Sequence, residues 1–262
     1  MAIISFFNSK GGSGKSLHSI LFGSYLAYAE QKRVCILDFD YGLRLERFRK
    51  EEEELLKKED SALSRYTAAH PDDSVTGSEG VLDIITVPRE VKERGERERD
   101  EFSASLGEYI EGVSKEGYDY IILDLPCEFS AEALSFIVLL GAADLVAVPF
   151  DYTPTVRNCA LHTAEVLRDN GVPLVMFWNK VSVSDLKKDG FLDRIESFLT
   201  DRGYDVLPHR VKFFQKATRE YEGGKGFVVS TLCWPRRYVE LNCPVLEILY
   251  ACLKGRLDEI VE

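Results

Sequence analysis

The sequence predicts an α/β architecture: a mostly parallel β-sheet flanked by helices on both faces. Short apolar runs rich in Val and Ile alternate with helical patterns along almost the whole chain, as in a parallel sheet wrapped by helices. The runs lack the polar alternation of a half-exposed sheet, so they read as strands buried on both faces. The 262 residues, 45% hydrophobic and 11% aromatic, suffice for a core that needs no disulfide or metal, and they exclude a disordered chain. No linker, repeat or low-complexity tract divides residues 1–262, so a single domain is expected.

The elements follow in order. Ile3 to Phe7, Val34 to Phe39, Leu82 to Val87, Tyr120 to Leu125, Leu145 to Phe150 and Leu174 to Trp178 are the expected strands, with a short seventh near Tyr204 to Leu207. Leu17 to Tyr28 is apolar nearly all round, which predicts a deeply buried helix. Residues 44 to 101 carry twelve basic and seventeen acidic residues, with Glu and Lys spaced to support exposed helices. This charged region is expected to form two solvent-facing helices joined by a polar loop near His70 to Gly80. The alternative is a partner-binding insertion.

Charge and cysteine use restrict the function. The net charge of −11 disfavours a polyanion partner if it is evenly spread. Between Arg202 and Arg237, however, eight basic residues face three acidic ones, a local +5. The six cysteines form no C-x-x-C pair and no zinc spacing, so reduced structural thiols are expected. No apolar run reaches the roughly eighteen residues of a membrane span. Ala2 to Phe7 is too short for the apolar segment of a signal peptide and runs into Asn8 and Lys10, which predicts a cytoplasmic protein.

The richest segment is Ser9-Lys10-Gly11-Gly12-Ser13-Gly14-Lys15-Ser16, between the first strand and the first helix. Glycines at 11, 12 and 14 let the backbone curl so that successive N–H groups point inward. The N-terminal dipole of the helix that begins near Leu17 adds to this cradle for a triphosphate. Lys15 is placed to reach the β- and γ-phosphates, and the Ser16 hydroxyl to meet Mg²⁺. The strand before and the helix after supply the context of a P-loop NTPase fold, although Ser9 stands where the usual pattern has glycine.

A lysine five residues before Lys15 resembles the deviant Walker A motif of the ParA/MinD family of ATPases. The resemblance runs through residues 1 to 180 in order and more weakly to about 230. It implies that Lys10 reaches the nucleotide of a partner subunit, so that ATP is sandwiched in a homodimer. Val34 to Arg44 resembles the family's second strand, which implies that Asp40 orients the attacking water and Asp38 holds part of the Mg²⁺ shell. Asp119 to Pro126 resembles its Walker B strand, with Asp124 on a Mg²⁺-bound water. Cys127 and Glu128 depart from the small residue often found after the proline.

On the same resemblance Asn179 contacts adenine, with a cap or turn role as the alternative. Pro208 belongs to a loop covering the base, and Arg157 is either an interface or a surface residue. The functional expectation is a Mg²⁺-dependent, ParA-like ATPase acting as a nucleotide switch in DNA partitioning or cargo positioning. Hydrolysis would be slow and stimulated by a partner protein, and the protein would associate with the nucleoid. Non-specific DNA would meet Arg210, Lys212, Lys216, Arg219, Lys225, Arg236 and Arg237. The alternatives are a MinD-like membrane-associated cell-division ATPase, disfavoured by the net −2 of Pro244 to Glu262, and a nucleotide-binding pseudo-ATPase. An iron–sulfur carrier is not expected, because the paired cysteines are lacking.

Overall fold

A computed structural model describes residues 1–39, 44–88, 99–126, 140–182, 190–212 and 228–261. Seven strands form one all-parallel sheet: β1 (Ala2–Phe6), β2 (Arg33–Asp38), β3 (Val81–Thr86), β4 (Tyr120–Asp124), β5 (Leu145–Phe150), β6 (Leu174–Val181) and β7 (Val206–Lys212). Their order is β3-β2-β4-β1-β5-β6-β7. Neighbouring strands run parallel throughout, so each connection has to carry the chain back to the other end of the sheet. The chain leaves β1 toward one side and later returns to build the other side, and the crevice at this reversal is where open α/β sheets bind ligands.

Helices cover both faces. Among the described residues they are α1 (Lys15–Ser24, continued by a π-turn Tyr25–Ala29), α2 (Arg44–Leu56), α3 (Ala62–Ala69), α4 (Arg99–Ser114), α5 (Pro154–Asp169), α6 (Phe191–Thr200), α7 (Arg236–Asn242) and α8 (Pro244–Val261). Alternate strand residues divide the core in two. Ile4, Phe6 and Ile36 pack with Phe22 of α1 and with Leu249 and Leu253 of α8. Ile3, Cys35 and Leu37 pack on the opposite face with Ile110 of α4, Ala164 of α5 and Leu199 of α6.

Local chemistry sets the helix ends. The Ser61 hydroxyl caps α3 by accepting the Ser64 N–H at 2.9 Å. Pro154 opens α5 at a position where its missing N–H costs nothing.

Three expectations are revised. The edge strand β3 is half-exposed rather than buried on both faces, and the opposite edge strand, β7, is half-exposed as well. In the charged region two helices, α2 and α3, precede His70, and the polar stretch leads into β3 instead of joining them. Each buries one face: Leu45, Phe48 and Glu52 on α2, Leu63 and Thr67 on α3. Most of the later charged stretch, 89–98, lies outside the described residues.

The third revision concerns Pro208, which lies inside β7 and not in a loop beyond it. Phe177 pairs with Leu207 and Trp178 with Arg210, so Pro208 and His209 bulge out of the ladder. An edge strand tolerates a residue with no N–H there.

Candidate functional site

The phosphate loop sits at the C-terminal end of the central strand, held by its first residue. Asn8 is buried, and its amide Nδ2 donates to the Pro149 carbonyl at 2.8 Å, tying the loop to β5. Its Oδ1 accepts the Lys10 N–H at 2.9 Å. Gly12 and Gly14 take positive φ values of 75° and 101°, which side chains disfavour. Gly14 has a second reason to be glycine: a Cβ there would lie 2.6 Å from Asn179 Nδ2.

α1 starts at Lys15 with no side-chain cap and no acidic residue in its first turn. Its leading N–H groups and dipole are left for an anion.

The two lysines differ in kind. Lys15 is buried, its Nζ donates to the carbonyls of Asn8 at 3.1 Å and Lys10 at 3.4 Å, and it lies 5.5 Å from the centre of the Phe7 ring. This curls the loop around its own ammonium. Lys10 has an exposed side chain on a backbone fixed by Asn8. Gly11 and Gly12 are exposed, Ser13 is buried, and Ser16 and Leu17 are half-buried at the start of α1.

Asp38 and Asp124 end β2 and β4 in direct register, both buried. They share the sheet face of Ile36 and Ile122, which is the face packed by α1. The Ser19 hydroxyl donates to Asp124 Oδ1 at 2.9 Å, and the Ser16 hydroxyl also hydrogen-bonds this carboxylate. Burial raises the Asp124 carboxyl to about 7, and the neighbouring Asp38 adds to the rise against the pull of the serine hydroxyls and Lys15. Two buried carboxylates with a serine hydroxyl form a hard oxygen set, which fits Mg²⁺.

Asn179 is buried near the C-terminal end of β6. Its Nδ2 donates to the Ser13 carbonyl at 2.8 Å, and its Oδ1 accepts the Lys180 N–H at 2.9 Å. The Lys180 ammonium donates to the Gly12 carbonyl. His18 is buried behind the loop, stacked near Phe6, with Nδ1 2.8 Å from the Tyr250 hydroxyl of α8. Burial lowers its imidazole to about 4.

The structure therefore gathers Lys10, Gly11, Gly12, Ser13, Gly14, Lys15, Ser16, Asp38, Asp124 and Asn179 at one end of the sheet. Asp40, Cys127, Glu128, Lys216, Arg219 and Lys225 lie outside the described residues. Arg157 is half-buried in the first turns of α5. Of the basic residues proposed for DNA, Arg210 faces Asp193 and Glu196, and Arg236 pairs with Asp73 at 3.1 Å. Lys212 and Arg237 are exposed. Sequence reading missed Asn8, Ser19, His18 and Lys180. Only Ser19 left a signal, since it follows Ser16 by three residues and so shares its helix face.

A parallel sheet whose central strand feeds a glycine loop, a buried lysine and an uncapped helix, with two carboxylates beside them, defines a P-loop nucleotide-binding protein. A family model described as an AAA domain matches residues 1–162. The chain belongs to that family, and its fold is similar to those of solved MinD and ParA structures.

It is 29% identical over 231 residues, 81% of this chain and 80% of the relative, to the sporulation initiation inhibitor protein Soj of Bacillus subtilis (strain 168). Among solved structures, it resembles a putative plasmid partition protein from Borrelia burgdorferi B31 bound to AMPPNP (TM-score 0.65, 17% identity, 97% of this chain and 99% of that one). It also resembles the MinC:MinD cell division protein complex of Aquifex aeolicus (TM-score 0.62, 16% identity, 97% and 96%). Among the described residues, no helix is long and apolar enough to cross a membrane.

Proposed function

We propose that this protein is a ParA-like, Mg²⁺-dependent ATPase that forms an ATP-sandwich dimer and acts as a nucleotide switch in DNA partitioning or cargo positioning. The observation that carries this reading is the division between its two loop lysines, Lys15 buried within its own loop and Lys10 presented to the outside.

Lys15 and the N–H groups of residues 11 to 16 bind the phosphates of the subunit's own nucleotide. Lys10 extends to the nucleotide of the partner. Asp38, Asp124 and Ser16 hold Mg²⁺, which when bound neutralises charge developing on the β- and γ-oxygens. Asp40 orients the attacking water. Leu17 belongs with the nucleotide-binding residues at the head of α1, and Pro208 flanks the base from β7. Hydrolysis is slow until a partner protein stimulates it. The sandwich dimer presents Lys212 and Arg237, with Lys216, Arg219 and Lys225, to the phosphates of non-specific DNA, so that the cytoplasmic protein gathers on the nucleoid.

The deciding experiment is the oligomeric state by sedimentation with ATP, with ADP and in Lys10→Ala. Dimerisation of the wild type with ATP alone, lost in the variant, is expected. A wild type that remains monomeric with ATP overturns the switch. For the DNA arm, retention of duplex DNA by the ATP form should fall steeply with salt, and salt-independent binding overturns it.

A membrane-bound role of MinD type is disfavoured by α8, whose Leu249, Leu253 and Leu257 are buried in the core and whose Lys254 pairs with Asp258 at 2.8 Å. ATP-dependent co-sedimentation with anionic vesicles would revive it. The pseudo-ATPase alternative is excluded by phosphate release that disappears in Asp40→Ala.

A further inference from the structure

We propose that Lys180 is a positioning residue that, together with Asn179, clamps the phosphate loop open for its ligand. This rests on reading residues 9–16 as the phosphate cradle. Two consecutive residues of β6 reach two consecutive carbonyls of that loop: Lys180 Nζ donates to Gly12 O, and Asn179 Nδ2 donates to Ser13 O at 2.8 Å.

Neighbouring residues on a regular strand point to opposite faces, so the pair cannot converge without a break in the backbone. Lys180 supplies the break. Its φ is 55°, in the left-handed region that a side chain disfavours, and the pairing of β6 with β7 shifts register between Trp178 and Val181. A non-glycine residue held there needs surroundings that hold it, and the link to Gly12 is such a contact.

The consequence follows from peptide geometry. In a planar trans peptide the carbonyl and the following N–H point in opposite directions. Drawing Gly12 O and Ser13 O toward β6 therefore turns the N–H groups of Ser13 and Gly14 away from it, toward the space that a phosphate would fill. Gly14 completes the arrangement: its φ of 101° disfavours a side chain, and a Cβ there would lie 2.6 Å from the Asn179 amide as placed. A loop held this way before its ligand arrives spends less binding energy on ordering.

The test measures binding of ATP, ADP and inorganic tripolyphosphate by calorimetry to the full chain and to Lys180→Ala, Lys180→Gly and Lys180→Arg. Loss of the clamp weakens all three ligands by about tenfold in the Ala and Gly variants. Arg, which can still donate to Gly12 O, restores affinity. The Gly variant melts above the Ala variant, because glycine accepts the left-handed backbone, yet it binds no better. Weakened ATP with unchanged tripolyphosphate overturns the clamp in favour of a base contact. Affinity that follows melting temperature from Ala to Gly reduces Lys180 to a structural residue and equally overturns it. Unchanged binding in all variants overturns the clamp alone, whereas a wild type that binds neither ATP nor tripolyphosphate overturns the cradle as well.

Discussion

Asp38 and Asp124 are register partners across β2 and β4, two buried carboxylates on the sheet face that carries α1. Like charges placed together out of water oppose folding until a cation joins them. Asp124→Asn keeps an acceptor for Ser19 while removing one charge. In EDTA at pH 8 the variant is expected to be more stable than wild type by on the order of 1–3 kcal/mol in urea unfolding, and its Mg²⁺-dependent phosphate release is expected to be lost. A variant less stable than wild type in EDTA would show that the pair carries no such cost.

Gly80 approaches the π-turn that extends α1 so closely that a Cβ there would lie 1.7 Å from the Ala27 carbonyl oxygen. Backbone on both sides of the contact leaves no flexible group to yield. Gly80→Ala is expected to cost about 2–4 kcal/mol and to lower Tm by roughly 5–10 °C. Calorimetry checks this, and a loss under 1 kcal/mol would mean that the turn shifts freely.

The central strands were legible because a strand buried on both faces has to be apolar throughout, as Ile121 to Leu123 are. The edges were less so. Pro208 reads as the end of a strand, yet β7 resumes beyond a bulge to Lys212, which only the unpaired outer side of an edge strand allows.

At the site, residues contiguous in the loop announced themselves, whereas those that brace it did not. Asn8 meets Pro149 across 141 positions, Ser19 meets Asp124 across 105, and Lys180 meets Gly12 across 168. No local pattern encodes such pairings. The local +5 left two pairings unseen for the same reason. The partners of Arg210 are Asp193 and Glu196, and that of Arg236 is Asp73, all outside the counted stretch.

Glu52 on α2 is buried and accepts the Thr231 N–H at 2.9 Å, while Arg49 donates to the Thr231 carbonyl. Burial pushes its carboxyl up to about 7, against the pull of Ser230, Thr231 and Arg49. The folded state therefore holds this proton at pH values where the unfolded chain, with a carboxyl near 4.5, has released it. The group is neutral in both states below about pH 4.5. Its cost grows as pH rises to about 7 and is constant above. Glu52→Gln, which can still accept the Thr231 N–H, is expected to gain on wild type across that window, reaching about 3 kcal/mol at pH 8. Stability curves for the two proteins that run parallel from pH 4.5 to 8 would contradict a buried, proton-holding Glu52.

His18 predicts the opposite limb. Its imidazole packs on Phe6, Phe177 and Tyr250, with Nδ1 2.8 Å from the Tyr250 hydroxyl, and burial lowers it from 6.5 to about 4, with the Lys180 charge adding to the fall and a hydrogen bond with Asn179 opposing it. Between those values the unfolded chain takes up a proton that the folded protein refuses, so this group withdraws stability as pH falls from 6.5 to 4, by about 3 kcal/mol at the end of the window. His18→Phe keeps the ring packing but leaves the Tyr250 hydroxyl without its partner, at a cost of about 1–3 kcal/mol at pH 8. The variant is expected to start less stable and to lose less on acidification, with the slope of unfolding free energy against pH reduced by about one proton between pH 6 and 4.5. An unchanged slope would mean that His18 charges in the folded state, and with it that the wall behind the phosphate loop admits water.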